Sequence, residues 1–239
     1  MLNSVKNVEE ETCCGCGACY QICSRRCIRM KQNERGFLIP VVDEEACINC
    51  GACVKVCPEN VQPFMNTVQK AYVAIAKNKK ILSMSTSGGI FGVLAENVIT
   101  AGGIVYGCMW SEGIYAQQVR IECIEELQKI QKSKYVQSDT KKTFIEVRKD
   151  LKSGKNVLYS GTACQIAGLR KFLNGNEGKL ITIEVACHGV PSIGLFQKYI
   201  CWKEKIEKEQ VCEIQFRNKE KHKKGEHYKF CLKYKGGRE

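Results

Sequence analysis

CCGCGACYQIC at residues 13–23 and CINCGACVKVCP at residues 47–58 decide how this chain folds. Both stretches space four cysteines as C-x2-C-x2-C-x3-C, and each cysteine of the first run lies 34 residues before its counterpart in the second. The tetrapeptide Cys-Gly-Ala-Cys at residues 16–19 recurs at residues 50–53. The two runs are therefore an internal duplication.

This spacing predicts two 4Fe-4S clusters. Three thiolates two residues apart can wrap one loop around an iron–sulfur cubane, and the glycines let the backbone approach it. In two-cluster ferredoxins the fourth cysteine of each run binds the other cluster, and a proline such as Pro58 follows the run. The predicted ligands are therefore Cys13, Cys16, Cys19 and Cys57 for one cluster, and Cys47, Cys50, Cys53 and Cys23 for the other.

A zinc site and a disulfide framework are the alternatives for these cysteines. Zinc sites use pairs of cysteines rather than triplets, and disulfide frameworks belong to small secreted chains. Both alternatives explain less of the pattern than iron–sulfur clusters do.

Length and cysteine content place the two runs in a larger protein. With 239 residues, the chain has room for the cysteine module and for a second domain with its own core. The N-terminal residues show no apolar stretch after a basic start, and no apolar run nears the length of about 18 residues that a membrane span needs, so we expect neither a signal peptide nor a span. Its 17 cysteines would scramble in an oxidising compartment, which favours the cytoplasm of a low-oxygen host.

The formal net charge of +12 is concentrated in the C-terminal part of the chain, between residues 203 and 235. A basic run could bind nucleic acid, but this one lacks the aromatic and glycine signatures of nucleic-acid modules. We therefore expect no nucleic-acid partner. A solvated face, or a patch for an acidic redox partner, is the expected role.

From residue 71 onward the pattern alternates between strands and helices. Strands are predicted at residues 72–76, 104–108, 118–121, 157–159, 180–185, 211–216 and 228–233. Helices are predicted from residue 90 to about 100, and at residues 124–132, 141–152, 165–173 and 195–205. The expected fold is α+β (mixed α/β), with a two-cluster ferredoxin-like domain at 1–62, a linker at 59–70 and an α/β domain at 71–239.

Three loops of glycine and small residues join the predicted strands to helices. The loop at 85–89 offers hydroxyls that could cap the next helix and backbone N–H groups that could bind phosphate, although a simple cap would look the same. The loop at 160–165 could present Cys164 to a ring system, unless Cys164 is only a small buried side chain. The loop at 187–192 holds His188, which could donate to a flavin, relay a proton or be structural.

The segment Ser133-Lys134-Tyr135-Val136-Gln137-Ser138 is a candidate lid between two helices. Its lysine could contact a phosphate or an electron-rich ring edge, and its tyrosine could stack on a ring. An ordinary helix connection would have the same sequence pattern.

The cysteine runs are followed in order by SGGIF at 87–91, SKYVQS at 133–138, SGTACQIAGL at 160–169 and CHGVPS at 187–192. Together these motifs resemble the coenzyme F-420 hydrogenase/dehydrogenase beta-subunit family. The resemblance implies an oxidoreductase, or its electron-transfer subunit, with two 4Fe-4S clusters beside an FAD in an α/β flavin-binding-type domain. It also implies electron exchange between a redox partner protein or subunit and a deazaflavin (coenzyme F-420) or other organic acceptor.

Residue by residue, the resemblance implies an FAD site in the second domain. Its expected cofactor-binding residues are Thr86, Ser87, Gly88, Gly89, Lys134, Tyr135, Gln137, Ser138, Gly161, Thr162, Cys164, Gln165 and His188. Lys134, Cys164 and His188 are the expected catalytic residues among them. Family members usually continue past residue 239, so a shortened chain is expected, and the alternative is a flavin-free electron-transfer subunit with only the two clusters.

Overall fold

The computed structural model describes residues 4–60, 67–111, 114–218 and 228–238. Within these ranges the chain forms a four-stranded sheet and two antiparallel hairpins. Residues 61–66 of the predicted linker and residues 219–227 of the lysine-rich turn lie outside the described residues.

The cysteine module consists of two short helices and one hairpin. They are α1 (Ala18–Ile22), β1 (Ile28–Gln32), β2 (Leu38–Val42) and α2 (Ala52–Lys55). Each helix begins directly after a glycine with φ of 74°, at Gly17 and at Gly51. Side chains rarely adopt this left-handed conformation, so the repeated glycine has the same backbone role in both runs.

A mixed sheet forms the centre of the second domain, in the strand order β4-β3-β5-β6. Its strands are β3 (Ile104–Ser111), β4 (Tyr115–Ile121), β5 (Val157–Thr162) and β6 (Leu180–Val185). β4 pairs antiparallel with β3, whereas β3, β5 and β6 are parallel. The carboxyl ends of these three parallel strands therefore lie at one edge of the sheet.

Helices cover both faces of the sheet. They are α3 (Lys79–Ser83), α4 (Ile90–Thr100), α5 (Leu127–Ile130), α6 (Thr143–Lys152), α7 (Ala163–Leu173) and α8 (Ile193–Glu207). Side chains alternate along β3, so Ile104 and Tyr106 pack with residues of α6 and α7, while Val105 packs with residues of α4 and α5. The result is a three-layer α/β arrangement.

The cysteine module shares a core with the sheet domain. Cys16, Ala18 and Val56 belong to the same buried cluster as Leu169 and Phe172 of α7. The module is therefore packed directly on the helical layer formed by α6 and α7.

A C-terminal hairpin packs on the other end of the module. It consists of β7 (Val211–Asn218) and β8 (Lys229–Tyr234). Ile214 and Leu232 from this hairpin form one cluster with Phe196 of α8 and Leu38 of β2.

The mixed α/β prediction is confirmed, and one of the predicted elements is wrong. Residues 72–76 form no strand, and Val73 is fully exposed there, because β-favouring residues need a neighbouring strand to form a ladder. The helix predicted at 124–132 is a 3-10 turn, Ile124–Glu126, followed by the single turn of α5. Among the described residues, no helix is long and apolar enough to cross a membrane.

Candidate metal centre and flavin site

Four of the predicted ligands, drawn from both sequence runs, line a first cavity of about 360 Å³ including the space open to solvent. They are Cys13, Cys16, Cys19 and Cys57. Met30 and Pro40 of the β1–β2 hairpin line the same cavity. The hairpin therefore forms one wall of this cavity.

The other four predicted ligands line a second cavity, of about 320 Å³ on the same measure. They are Cys23, Cys47, Cys50 and Cys53. Cys50 is exposed, and the neighbouring Ile48 is 61% exposed. One ligand of the second set is therefore exposed, whereas Cys53 of that set and Cys16 and Cys19 of the first set are buried.

The donor chemistry of both cavities fits an iron–sulfur cluster. Burial raises the pKa of the Cys13 and Cys19 thiols, so their thiolates need a positive partner such as iron. In the described part of the chain, no three histidine, cysteine or acidic side chains converge closely enough to hold a single metal ion. The four thiols of each set instead line one of the two cavities.

The cysteine loop that lines the first cavity packs against helix α7 of the sheet domain. Gly168 of α7 is so close to the cysteine loop that a Cβ atom there would lie 3.0 Å from Cys16 Sγ. Cys14, which also lines the cavity, has its thiol within hydrogen-bonding reach of the thiols of Cys16 and Cys164. The start of α7 therefore adjoins the first cysteine set.

Buried polar contacts fasten the module to the sheet domain. Gln137 Oε1 accepts from the Leu38 backbone N–H at 2.7 Å, and its Nε2 donates to the Leu38 carbonyl at 3.3 Å. Thr140 Oγ1 donates to the Cys16 carbonyl at 2.9 Å. Gln21 Oε1 accepts from the Phe144 backbone N–H at 2.8 Å. These contacts fix the cysteine loop relative to α6 and α7.

The 133–138 segment contacts all three loops predicted to bind the flavin. The hydroxyls of Ser133 and Thr86 are 3.0 Å apart. Gln165 Nε2 donates to Ser138 Oγ at 3.0 Å, and the Gln137 backbone N–H donates to the Pro191 carbonyl at 3.1 Å. The structure thus brings together the three loops that the sequence singled out.

Three side chains of this segment are engaged by the protein itself. Lys134 Nζ donates to the backbone carbonyls of Gln131 at 2.6 Å, Lys132 at 3.3 Å and Lys129 at 3.4 Å. Burial lowers the pKa of Lys134 to about 8. The Tyr135 ring meets the Phe216 ring edge-on at 5.4 Å, and the Gln137 amide is bound to Leu38 as described above.

The loop at 85–89 differs from the predicted hydroxyl cap. Gly89, with φ of 82°, is the N-cap of α4, and no side chain caps that helix end. Ser85 Oγ donates instead to the Ile81 carbonyl of α3 at 2.7 Å. Gly88 lies against residues 74–76, where its carbonyl accepts from the Ala76 N–H at 2.7 Å. The sequence pattern does not predict this arrangement of Ser85, because it predicts no helix at the position of α3.

The two other loops lie at the carboxyl ends of β5 and β6. Gln165 Oε1 accepts from the Thr162 backbone N–H at 3.2 Å, next to buried Gly161, and Thr162 Oγ1 lies 3.1 Å from Cys164 Sγ. His188 is exposed in the loop after β6. The structure therefore places Cys164 near the cysteine module and His188 at the surface.

Gln118 is a residue that the sequence did not single out. It is only 3% exposed, and its Nε2 donates to Gln165 Oε1 at 3.5 Å. Its Oε1 is buried and has no hydrogen-bond partner among the described residues. Such an acceptor is expected beside a bound polar group. Nothing in the local sequence marks this glutamine, because its buried position is defined by its contact with Gln165, which is distant in sequence.

Comparison with known families agrees with this arrangement. Residues 12–61 and, in a second match, residues 39–87 fit models of the 4Fe-4S dicluster domain. Residues 154–237 fit the model for the C terminus of the beta subunit of coenzyme F420 hydrogenase/dehydrogenase. No curated protein sequence matches the chain.

Among solved structures, the chain is similar to one chain of the F420-reducing [NiFe] hydrogenase complex from Methanosarcina barkeri. The two are 20% identical, with a TM-score of 0.48, and the match covers 70% of this chain and 58% of that one. The family resemblance is confirmed by the sequence models over two parts of the chain: residues 12–61 match the 4Fe-4S dicluster domain, and residues 154–237 match the C terminus of the coenzyme F420 hydrogenase/dehydrogenase beta subunit.

Proposed function

We propose that this chain is an electron-transfer flavoprotein subunit that holds two 4Fe-4S clusters in its cysteine module and FAD in its α/β domain. The observation that carries the proposal is that each of the two cavities is lined by one complete predicted set of four cysteines. Each set combines three cysteines of one run with the fourth cysteine of the other. This is the ligand exchange of two-cluster ferredoxins.

The exposure of the cysteines indicates the side from which we propose that an external redox partner reaches the clusters. Cys50 and Ile48 are exposed beside the second cavity, and exposed Arg25 also lines it. An external redox partner with an acidic surface would therefore dock at the second cluster. The first set lies against α7 through Cys16 and would exchange electrons with the α/β domain.

The residues between the first set and the β5–α7 loop form the proposed route inward. When bound, iron–sulfur clusters carry single electrons and a flavin accepts one or two. The Cys14 thiol lies near those of Cys16 and Cys164, and Gly168 lets Cys16 lie directly on α7. These contacts hold the cysteine loop against the start of α7, which keeps the transfer distance short.

The proposed FAD site lies where the 133–138 segment meets the three loops. Ser138 and Gln165 would contact the cofactor there, and the unpartnered Gln118 Oε1 offers a buried acceptor beside them. Thr86, Thr162 and His188 belong to the loops around this position. Lys134, Cys164 and His188 remain the proposed catalytic residues.

A flavin-free electron-transfer subunit is the second candidate. The observation that favours it is that Lys134, Tyr135 and Gln137 already have partners within the protein. A site whose donors are satisfied gains less from binding a cofactor. The two candidates share the clusters and differ only in FAD.

Purification without oxygen, followed by iron, sulfide and flavin analysis, tests the proposal. We expect about eight iron atoms and about eight sulfides per chain, together with one FAD. A brown protein that takes up no FAD on incubation would leave the flavin-free candidate. A colourless protein with zinc and no iron would overturn both.

A pair of matched serine variants tests the position of the FAD. Ser138→Ala should lower FAD retention and leave iron unchanged, because its hydroxyl and Gln165 are proposed to contact the cofactor. Ser153→Ala is the control, since its exposed hydroxyl only donates to the Asp150 carbonyl at 2.7 Å. Equal FAD retention in both variants would contradict the proposed position.

The organic electron acceptor is proposed from the family alone. A deazaflavin such as coenzyme F420 is the first candidate, and another organic acceptor is the second. Anaerobic mixing of the reduced protein with a deazaflavin should bleach the deazaflavin absorbance. No change in that absorbance, with other organic acceptors reduced, would favour the second class.

A further inference from the structure

A fifth cysteine, Cys27, lies in the second cavity beside the four predicted ligands. Its Sγ is 3.4 Å from Cys23 Sγ, so the two sulfur atoms are in contact. Cys47, another predicted ligand of the same cluster, lines the same cavity. Cys27 therefore touches one predicted ligand and faces the cavity that all four of them line.

The backbone holds Cys27 at this position. Arg26 adopts a left-handed conformation with φ of 54°, and its N–H donates to the Cys23 carbonyl at 3.1 Å. This turn brings the chain back onto Cys23. The Cys27 carbonyl accepts from the Asp43 N–H at 2.8 Å, which anchors Cys27 to the β1–β2 hairpin. Its side chain is only 6% exposed.

The duplication makes Cys27 unusual within the module. The residue 34 positions later, where the second run would repeat it, is Val61. A thiol at this place is therefore present after the first run and absent after the second. The repeat alone does not account for Cys27.

We propose that Cys27 is an alternative ligand of the second 4Fe-4S cluster and can take the position of Cys23. This inference rests on the proposed cluster sites. In the exchange, the iron–sulfur bond to Cys23 breaks and one to Cys27 forms, while the Cys27 thiol proton moves to the Cys23 thiolate. No electron is gained or lost. Because the two sulfurs are already in contact, the exchange needs little backbone movement.

Four variants test the proposal: Cys23→Ser, Cys27→Ser, the double variant Cys23→Ser/Cys27→Ser, and Cys53→Ser as the control ligand of the same cluster. Iron, sulfide and low-temperature EPR spectra are measured after anaerobic purification. Each single variant at Cys23 or Cys27 should keep about eight iron atoms and both EPR signals, with the signal of the second cluster shifted in Cys23→Ser. The double variant and Cys53→Ser should keep about four iron atoms and one signal.

Loss of the second cluster in either Cys23→Ser or Cys27→Ser alone would overturn the proposal. Retention of both clusters in the double variant would also overturn it, because another group would then supply the ligand. If the wild-type protein holds no iron, the proposed function itself fails. That result differs from a failure of the Cys27 proposal, because it appears in the protein with Cys27 unchanged.

Discussion

At the scale of single residues, side chains of the sheet domain complete the backbone of the cysteine module. Gln137 bonds both the N–H and the carbonyl of Leu38, which belongs to β2 and is 6% exposed. Thr140 and Gln21 bond each other at 3.2 Å in the same interface. Without these partners, buried backbone groups of the module would lose their hydrogen bonds.

Gln137→Ala should lower the free energy of unfolding by about 1–3 kcal/mol, because it leaves two groups of Leu38 without partners. Gln197→Ala is the matched control, since its amide only accepts from the Gln32 side chain at the surface, at 3.3 Å. Urea unfolding of both variants under anaerobic conditions measures the difference. Equal stabilities would show that Gln137 does not hold the module.

Lys134 should make stability depend on pH in the alkaline range. Burial lowers its pKa from 10.5 to about 8, so between these values the unfolded chain binds more protons than the folded one. The free energy of unfolding should therefore rise with pH across this window, relative to Lys134→Met.

Urea unfolding at several pH values from 7 to 10.5 covers this window and measures how the free energy of unfolding depends on pH. Lys152→Met, at an exposed position, is the control and should differ from wild type by the same amount at every pH. A pH-independent difference between wild type and Lys134→Met would contradict the lowered pKa.

At the scale of elements, local pattern predicted most of the strands and helices, and long-range contacts account for the errors. The strand at 180–185 and the helix at 141–152 were predicted within two residues of β6 and α6 because their apolar periodicity is strong. The strand at 72–76 failed because no ladder forms there. The contact of Gln137 with Leu38 spans 99 residues, and no local signal announces it.

The site shows the same division between local and distant information. Both cysteine sets follow from spacing within the runs. Cys27, Gln118 and Gly168 were missed as functional residues, because each matters through a neighbour that is distant in sequence or lies across a turn. Two of these residues carry a signal in the sequence. Cys27 is a cysteine near the predicted metal site, and Gly168 is a glycine inside a predicted helix.

The packing of the cysteine loop on helix α7 should require a residue without a side chain at position 168. In an ordinary helix, Gly→Ala would stabilise by up to about 1 kcal/mol. Here the new Cβ would lie 3.0 Å from Cys16 Sγ and 3.3 Å from Ala18 Cβ. Gly168→Ala should therefore reduce retention of the first cluster and leave the second unchanged.

Iron content and EPR spectra of Gly168→Ala measure this loss. Ala167→Ser, which adds one atom at the preceding position of the same helix, is the control and should retain both clusters. Full retention of the first cluster in Gly168→Ala would show that the loop can move away from α7.

At the scale of the whole molecule, two cavities lined by cysteines lie in the module that packs on the sheet domain. Cys50 of the second set is exposed, and Cys16 of the first set packs against Gly168 of α7. In the proposed function, electrons would pass from an external partner to the second cluster, then to the first, and on toward the carboxyl edge of the sheet. This order depends on the exchange of the fourth ligand between the two runs.

Low-temperature EPR of the reduced Cys57→Ser variant, beside Cys16→Ser and Cys50→Ser, tests this exchange most directly. Cys57 belongs to the second run by sequence but lines the first cavity. We therefore predict that Cys57→Ser and Cys16→Ser give the same single residual signal, which differs from that of Cys50→Ser. A Cys57→Ser spectrum identical to that of Cys50→Ser, or a reduced wild-type protein without any signal, would contradict the account.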